Sequence, residues 1–335
     1  MAGLTLLTSN IAFVMMLELT IPAHRGIAGN ITFMFYASGE LLITLFGYLT
    51  RNWLNLLWAN TIFFGVSLFF VFFTVESPLY LYSKKQYSRL ENCLRRMAKL
   101  NGRNENDWRP AFEELISKHL FATANKKELS FSQTLQQLVR QRQTMLRMLI
   151  VALLAFKDTL LYYKISYGLA AMKISPYLSM LIGGVLEAIG YITATLIMST
   201  RLGRKYSLIL STGLTGACVL AVPFLIDRST LATVIVSQIG KYATSVANSI
   251  TWIFIAELFP TSIRSSTNGF ALAISRLGAI TAPVIDASID EQYLPITFYA
   301  YAGLAFLSLL VTLPLPETKD EPLAKAVDVS QSVNS

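Results

Sequence analysis

The stretch GFALAISRLGAITAPV (269–284) is apolar enough to cross a membrane as a helix, apart from Arg276. A charge at the bilayer centre costs from about 3 kcal/mol to more than 10, so such residues face a partner or a wet cavity. Arg276 follows Arg264 by twelve residues, roughly 18 Å along a helix, near mid-depth and too far in to snorkel easily. Its planar guanidinium can hold a carboxylate through two parallel hydrogen bonds. Two readings fit it: a contact for an anionic ligand, or a permanent ion pair with Glu187 or Glu40. The segment IVALLAFKDTLLYYKISYGL (150–169) holds Lys157, Asp158 and Lys164, with Tyr163 and Tyr167 four apart on one helical face. Either these tyrosines line a cavity, where rings can stack on an organic ligand or hold a cation, and Lys157 adds a second positive charge, or they pack while Lys157 and Asp158 pair within the bundle. Lys241, after Gly240, is a further intramembrane cation and a weaker ligand candidate. Nothing points to catalysis. Cys93 and Cys218 are isolated, and no nucleophile, base and orienting residue recur at a usable spacing, so no enzyme activity, cofactor or metal is expected.

These side chains need apolar helices to hold them. Hydrophobic residues make up 53% of the 335 and charged residues 14%, with mean hydropathy +0.50, too few polar groups to cover a soluble globule. A window of about 19 residues finds candidate spans at 2–21, 28–48, 54–74, 146–169, 174–199, 206–226, 230–256, 266–287 and 293–315. The chain therefore reads as an all-α polytopic membrane protein whose solvent is the lipid bilayer. The first run lacks the features of a cleaved signal peptide and is read as a retained span. Half of the 28 Lys and Arg residues lie between 76 and 147, so the net charge of +8 is read as topology, not nucleic-acid binding. With 76–145 cytoplasmic, alternation puts PAHRG (22–26), RLGRKYS (201–207), PTSIRSS (260–266) and the tail inside. It puts IDASIDEQY (285–293), with three acids and no Lys or Arg, outside. Within the loop, Leu90, Leu94, Met97 and Ala98 share one helical face with Gly102 as a stop, and 131–149 reads as a helix leading into the fourth span.

An internal repeat orders the spans. ELTIPAHR (18–25) and ELFPTSIR (257–264) share Glu-Leu and an Arg seven residues after the Glu, and a glycine follows each Arg by fourteen residues, at Gly39 and Gly278. The counterpart of Arg276 in the first copy is Ala37, so the shared helix pattern does not itself demand the arginine. Parallel repeats of a six-helix half, with the ligand site between halves, are the build of the major facilitator fold. The expectation is that fold lacking its first three helices, with about nine transmembrane helices. Its parts are a partial N-terminal half (1–75), a cytoplasmic helical loop (76–145), a C-terminal six-helix half (146–316) and a cytoplasmic tail (317–335).

The ordered motifs resemble those of the organic cation, organic anion and carnitine transporter family, solute carrier family 22. ESPLYLYSKKQYSRLENCLRRMAKLNG (76–102), Tyr167-Gly168-Leu169, RLGRK (201–205), AELFPTSIR (256–264), SRLGAITAP (275–283) and PETK (316–319) carry the resemblance. Leu79, Ser166, Ile189 and Thr200 depart from the family pattern. The resemblance implies a plasma-membrane carrier of small organic ions working by alternating access. It tilts the substrate toward anions or zwitterions, because Arg276 stands where cation carriers commonly have aspartate. Arg276, Tyr163, Tyr167, Lys157, Glu187 and Lys241 are then the substrate-site candidates. Arg25, Glu76, Arg201, Arg204, Glu257 and Arg264 are the gating candidates, with plain topogenic charge as the alternative. Two other readings stay open: a sugar carrier of the same superfamily, and a non-transporting truncated membrane protein that binds partners through its loop. Nothing in the sequence indicates an oligomeric state.

Overall fold

The computed structural model describes residues 12–20, 24–71, 76–124, 142–171, 175–259, 261–289 and 293–319. These residues form helices throughout: α1 (12–19), α2 (Arg25–Thr50), α3 (Trp53–Val71), α4 (Pro78–Ser83), α5 (Tyr87–Leu100), α6 (Glu105–Ala124), α7 (Arg142–Ala171), α8 (Pro176–Ser199), α9 (Gly203–Leu225), α10 (Thr230–Leu258), α11 (Thr261–Ser288) and α12 (Leu294–Thr312). All nine expected spans overlap one of these helices. Five helical stretches are long and apolar enough to cross a membrane on length and composition: Arg25–Thr50, Pro176–Ser199, Gly203–Leu225, Ser266–Ser288 and Pro295–Thr312, with Trp53–Val66 shorter. Starts follow local chemistry. Pro176 opens α8 at a position that needs no N–H, and Ser229 caps α10 by accepting from the Ala232 N–H.

On α9 and α10 many hydroxyl side chains are buried while large apolar ones cover the outer face. On α9, Ser207, Ser211, Thr212 and Thr215 are buried while Leu210, Leu214 and Leu220 are exposed; on α10, Thr244, Ser245, Ser249 and Thr251 are buried while Leu231, Ile235 and Ile239 are exposed. A hydrocarbon solvent favours this arrangement, and the long apolar helices suit the same solvent. The molecule is an integral membrane protein.

The chain clusters into two compact units, residues 1–62 with 146–335, and residues 63–145. In the first, α10 packs on α9 and α8, α9 on α12, and α8 on α2. An apolar cluster of Leu160, Leu161, Ile165, Val219, Val222, Phe298 and Ala305 joins α7, α9 and α12. In the second, Leu81, Leu90, Cys93 and Phe112 form a small core with Leu94, Met97 and Trp108 against it. Helix α5 ends as expected, with Gly102 at φ +65° after Leu100. Burial pushes the Cys93 thiol up, with Glu76 adding to it, which suits a packing role rather than reactivity. Of the expected helix at 131–149, residues 131–141 lie outside the described residues.

One glycine brings the helix that carries Arg276 against α7. At Gly278 a Cβ would lie 2.5 Å from the Phe156 carbonyl oxygen and 3.2 Å from the Leu160 nitrogen, so α11 touches the α7 backbone two residues beyond Arg276. Its repeat counterpart Gly39 has nothing within 4 Å of the same position. Gly278→Leu should therefore destabilise the purified protein by about 1–3 kcal/mol, read as a lower melting temperature in detergent. Gly39→Leu should leave the melting temperature unchanged.

Candidate binding cavity

A cavity of about 240 Å³ opens between α1, α2, α7, α8, α10 and α11 of the first unit. Its wall is aromatic, with Phe13, Phe33, Tyr36, Tyr162, Tyr163, Tyr191 and Trp252, and carries Thr32, Thr159, Asn248 and Ser275 as neutral polar groups. Arg276 and Glu187 are its charged residues. Helix α7 brings Thr159, Tyr162 and Tyr163 to the wall because positions i, i+3 and i+4 share a face. Three polar ties fix that face. Lys157 pairs with Asp158 at 2.5 Å and donates to Thr212 Oγ1 on α9 at 3.2 Å. Asp158 accepts from Thr251 on α10 at 2.6 Å. Lys164 pairs with Asp286 on α11 at 2.6 Å, donates to Thr297 at 3.0 Å and lies over the Phe298 ring.

Within the cavity the two charges are not partners. Lys241 Nζ lies 3.0 Å from Glu40 Oε1 and 3.7 Å from Glu187 Oε2. Glu187, fully buried, also accepts from Tyr191 Oη at 2.5 Å. Arg276 is in no ion pair among the described residues, and its Nε is buried with no hydrogen-bond partner. A buried donor left unsatisfied costs about 1–3 kcal/mol.

A second cluster of charges forms where the repeat motifs meet. Arg25 Nε donates to the Leu17 carbonyl at 3.2 Å, and Arg264 Nε donates to the Ala256 carbonyl at 2.6 Å. In both copies the arginine reaches back eight residues to the carbonyl just before the motif glutamate, so the repeat is a repeat of structure. Leu17, Arg25, Ala256, Glu257 and Arg264 surround one small pocket. Arg204 makes a two-pronged pair with Glu257, both bonds 3.1 Å, and Thr318 donates to Glu257 at 2.7 Å. Glu317 accepts from the Arg204 and Lys205 backbone N–H groups at 2.8 and 3.0 Å, capping α9 where its dipole favours an anion. Gly203 is at φ +68°, and a Cβ there would lie 2.5 Å from the Glu317 carboxyl carbon; only glycine fits.

The comparisons with known proteins accord with this geometry. A family model described as "Sugar (and other) transporter" matches residues 5–328. The chain belongs to this transporter family. The family is one of carriers, not enzymes. Over 308 residues the chain is 30% identical to solute carrier family 22 member 7 of Mus musculus, covering 91% of this chain and 55% of that protein. It is 29% identical over 326 residues to the carcinine transporter of Drosophila melanogaster, covering 95% and 47%. Organic cation/carnitine transporter 2 of Homo sapiens is 27% identical over 304 residues, covering 88% and 51%. The chain thus spans about half the length of the curated relatives it matches. Its fold is similar to that of the major facilitator superfamily proton:xylose symporter XylE bound to 6-bromo-6-deoxy-D-glucose, with TM-score 0.73 at 18% identity over 94% of this chain and 69% of that one. The partially occluded inward-open form of XylE from E. coli gives 0.66 at 16%, over 93% and 68%.

In this transporter-family chain, Arg276, Tyr163 and Glu187 line the cavity together, and Lys241 sits behind its wall on the two glutamates. Tyr167 is in α7, with its side chain outside the described residues. Lys157 is not brought to the cavity, because Asp158 and Thr212 hold it in the bundle. Among the gating candidates, Arg25, Glu257, Arg264 and Arg204 converge. Arg201 is exposed, and Glu76 lies in the second unit, paired with Arg89 at 2.9 Å. Tyr162, Tyr36, Tyr191, Trp252 and the PETK carboxylate Glu317 were missed as functional contacts. The i, i+4 spacing of Glu187 and Tyr191 was a usable signal. A double-mutant cycle on melting temperature with Arg204→Leu, Glu257→Gln and both should give a coupling of about 1–3 kcal/mol, since either single change leaves a charge buried without its partner.

Proposed function

We propose that the chain forms the binding cavity of a carrier for small organic anions or zwitterions that works by alternating access. The observation that supports this most is the state of Arg276: a guanidinium in an aromatic wall whose Nε has no acceptor, while Lys241 engages both acids that would have neutralised it. A neutral hexose leaves that charge unbalanced and a carboxylate balances it, so the anion is favoured over the sugar. The rings of Tyr36, Tyr163 and Trp252 suit an aryl or alkyl body, and Tyr167 extends the same helix face. In this reading Glu187 and Lys241 set the charge of the wall, and Lys157 with Asp158 serves the bundle.

Arg25, Arg204, Glu257 and Arg264, with Arg201 beside Arg204 in sequence, form the gate. The Arg204–Glu257 pair, with the arginine-to-carbonyl bonds of Arg25 and Arg264, holds one side shut and separates when it opens. The segment 76–145 and the tail face the cytoplasm from the plasma membrane. The test uses the purified protein with benzoate, benzyltrimethylammonium and glucose, by equilibrium dialysis in detergent and by uptake into liposomes. Benzoate alone should bind, and Arg276→Ala should weaken it at least about tenfold, the loss of a charge-assisted hydrogen bond, with melting temperature unchanged. Undiminished benzoate binding by Arg276→Ala would remove Arg276 from the site.

A further inference from the structure

Beside the cavity, two carboxyl groups share one hydroxyl. Tyr162 Oη lies 3.1 Å from Glu40 Oε2 and 3.1 Å from Glu187 Oε2. A phenol has one hydrogen and can donate to only one of them. The other contact is a hydrogen bond only if that carboxyl brings a hydrogen of its own. The charges agree with this count: two carboxylates face the single ammonium of Lys241, and like charges sharing a desolvated site do not both stay ionised. Glu40 is the closer to Lys241 and is partly exposed, whereas Glu187 is farther from it and fully buried. The arrangement that satisfies every contact has Glu187 Oε2–H donating to Tyr162 Oη, Tyr162 Oη–H donating to Glu40 Oε2, and Lys241 donating to Glu40 Oε1. Tyr191 donates to the remaining Glu187 oxygen.

We propose that Glu187 and Glu40 hold one proton between them through Tyr162, resting on Glu187, and that this proton is the co-substrate of anion binding. Moving both hydrogens one step along the chain leaves Glu187 as carboxylate and Glu40 as acid, with atoms and charge conserved, so Tyr162 is a relay between a cavity-wall group and a group behind it. Every titratable or charged group recorded around Glu187 enters the balance: Glu40 and Tyr36 from α2, Tyr162 and Tyr163 from α7, Tyr191 on its own helix, Lys241 from α10 and Arg276 from α11. With Glu187 neutral, the cavity presents the positive charge of Arg276 to an anion. With Glu187 ionised, the wall carries both signs and the anion is opposed. Proton and anion therefore favour each other's binding, and the linkage is reciprocal.

The coupling rests on the anion reading above, and the proton site does not, so the test has two arms. Difference infrared spectroscopy of the purified, ligand-free protein over a pH titration should show a protonated carboxyl band that Glu187→Gln removes and Tyr162→Phe shifts. Equilibrium dialysis of benzoate should show affinity falling by up to about tenfold per pH unit once Glu187 ionises, the limit for one linked proton. Glu187→Gln should bind with little pH dependence, and an unchanged melting temperature shows that it is folded. Absence of the band overturns the proton site, and a band lost only in Glu40→Gln overturns its assignment to Glu187. Benzoate affinity independent of pH in the unaltered protein overturns the coupling. If the band behaves as stated and benzoate binds at no pH, the anion reading fails and the proton site stands.

Discussion

Ionisable side chains in hydrocarbon are tolerated only when a partner or a wet cavity meets them, and the ties between α7 and helices α9, α10, α11 and α12 reflect that constraint. Lys157, Asp158 and Lys164 would make α7 an implausible membrane helix alone. Paired with Asp158 and Asp286, and bonded to Thr212, Thr251 and Thr297, they tie it to α9, α10, α11 and α12. Those ties orient the face bearing Tyr162 and Tyr163, and the contact at Gly278 holds α11 against it. Arg276 is the exception that gives the cavity its character, since the constraint is met there by open space instead of by a protein carboxylate.

The two charge clusters divide the work. At the motif end, an ion pair and hydrogen bonds link helix ends to one another and to the segment after α12: Arg204 pairs with Glu257, Thr318 donates to Glu257, and the backbone at the start of α9 donates to Glu317. Such pairs can break and reform as a unit, because each carboxylate serves several donors. At the cavity, Lys241, Glu40, Glu187 and Tyr162 form a closed set that leaves Arg276 outside it. On the proposed function, one cluster serves opening and closing and the other holds a charged guest.

Much of this was legible in the sequence because it is local. Spans follow from runs of apolar residues, and the stop at Gly102 from its position after a helical face. The repeat follows from identical spacing, and its meaning from the two arginines reaching the Leu17 and Ala256 carbonyls in the same way. The ligand wall was only partly legible. Glu40 and Lys241 are two hundred and one residues apart, so their pairing depends on how α2 and α10 pack, which no periodicity encodes. The phase of α7 was read from Tyr163 and Tyr167, while Tyr162, one position away, makes the bridging contact. Lys157 was open to two readings, a cavity charge or a bundle contact, because residues i and i+1 do not ordinarily face each other on a helix and the sequence alone does not show Lys157 reaching Asp158. The long lysine side chain closes that gap.

On the proposed function, the cavity selects for negative charge through Arg276. Competition between benzoate and its neutral isostere benzamide on the purified protein tests it most directly, because the two differ in charge and hardly in shape. Benzoate should be preferred by at least about tenfold, the worth of a charge-assisted over a neutral hydrogen bond. Equal binding of the two, or preference for benzamide, would contradict it.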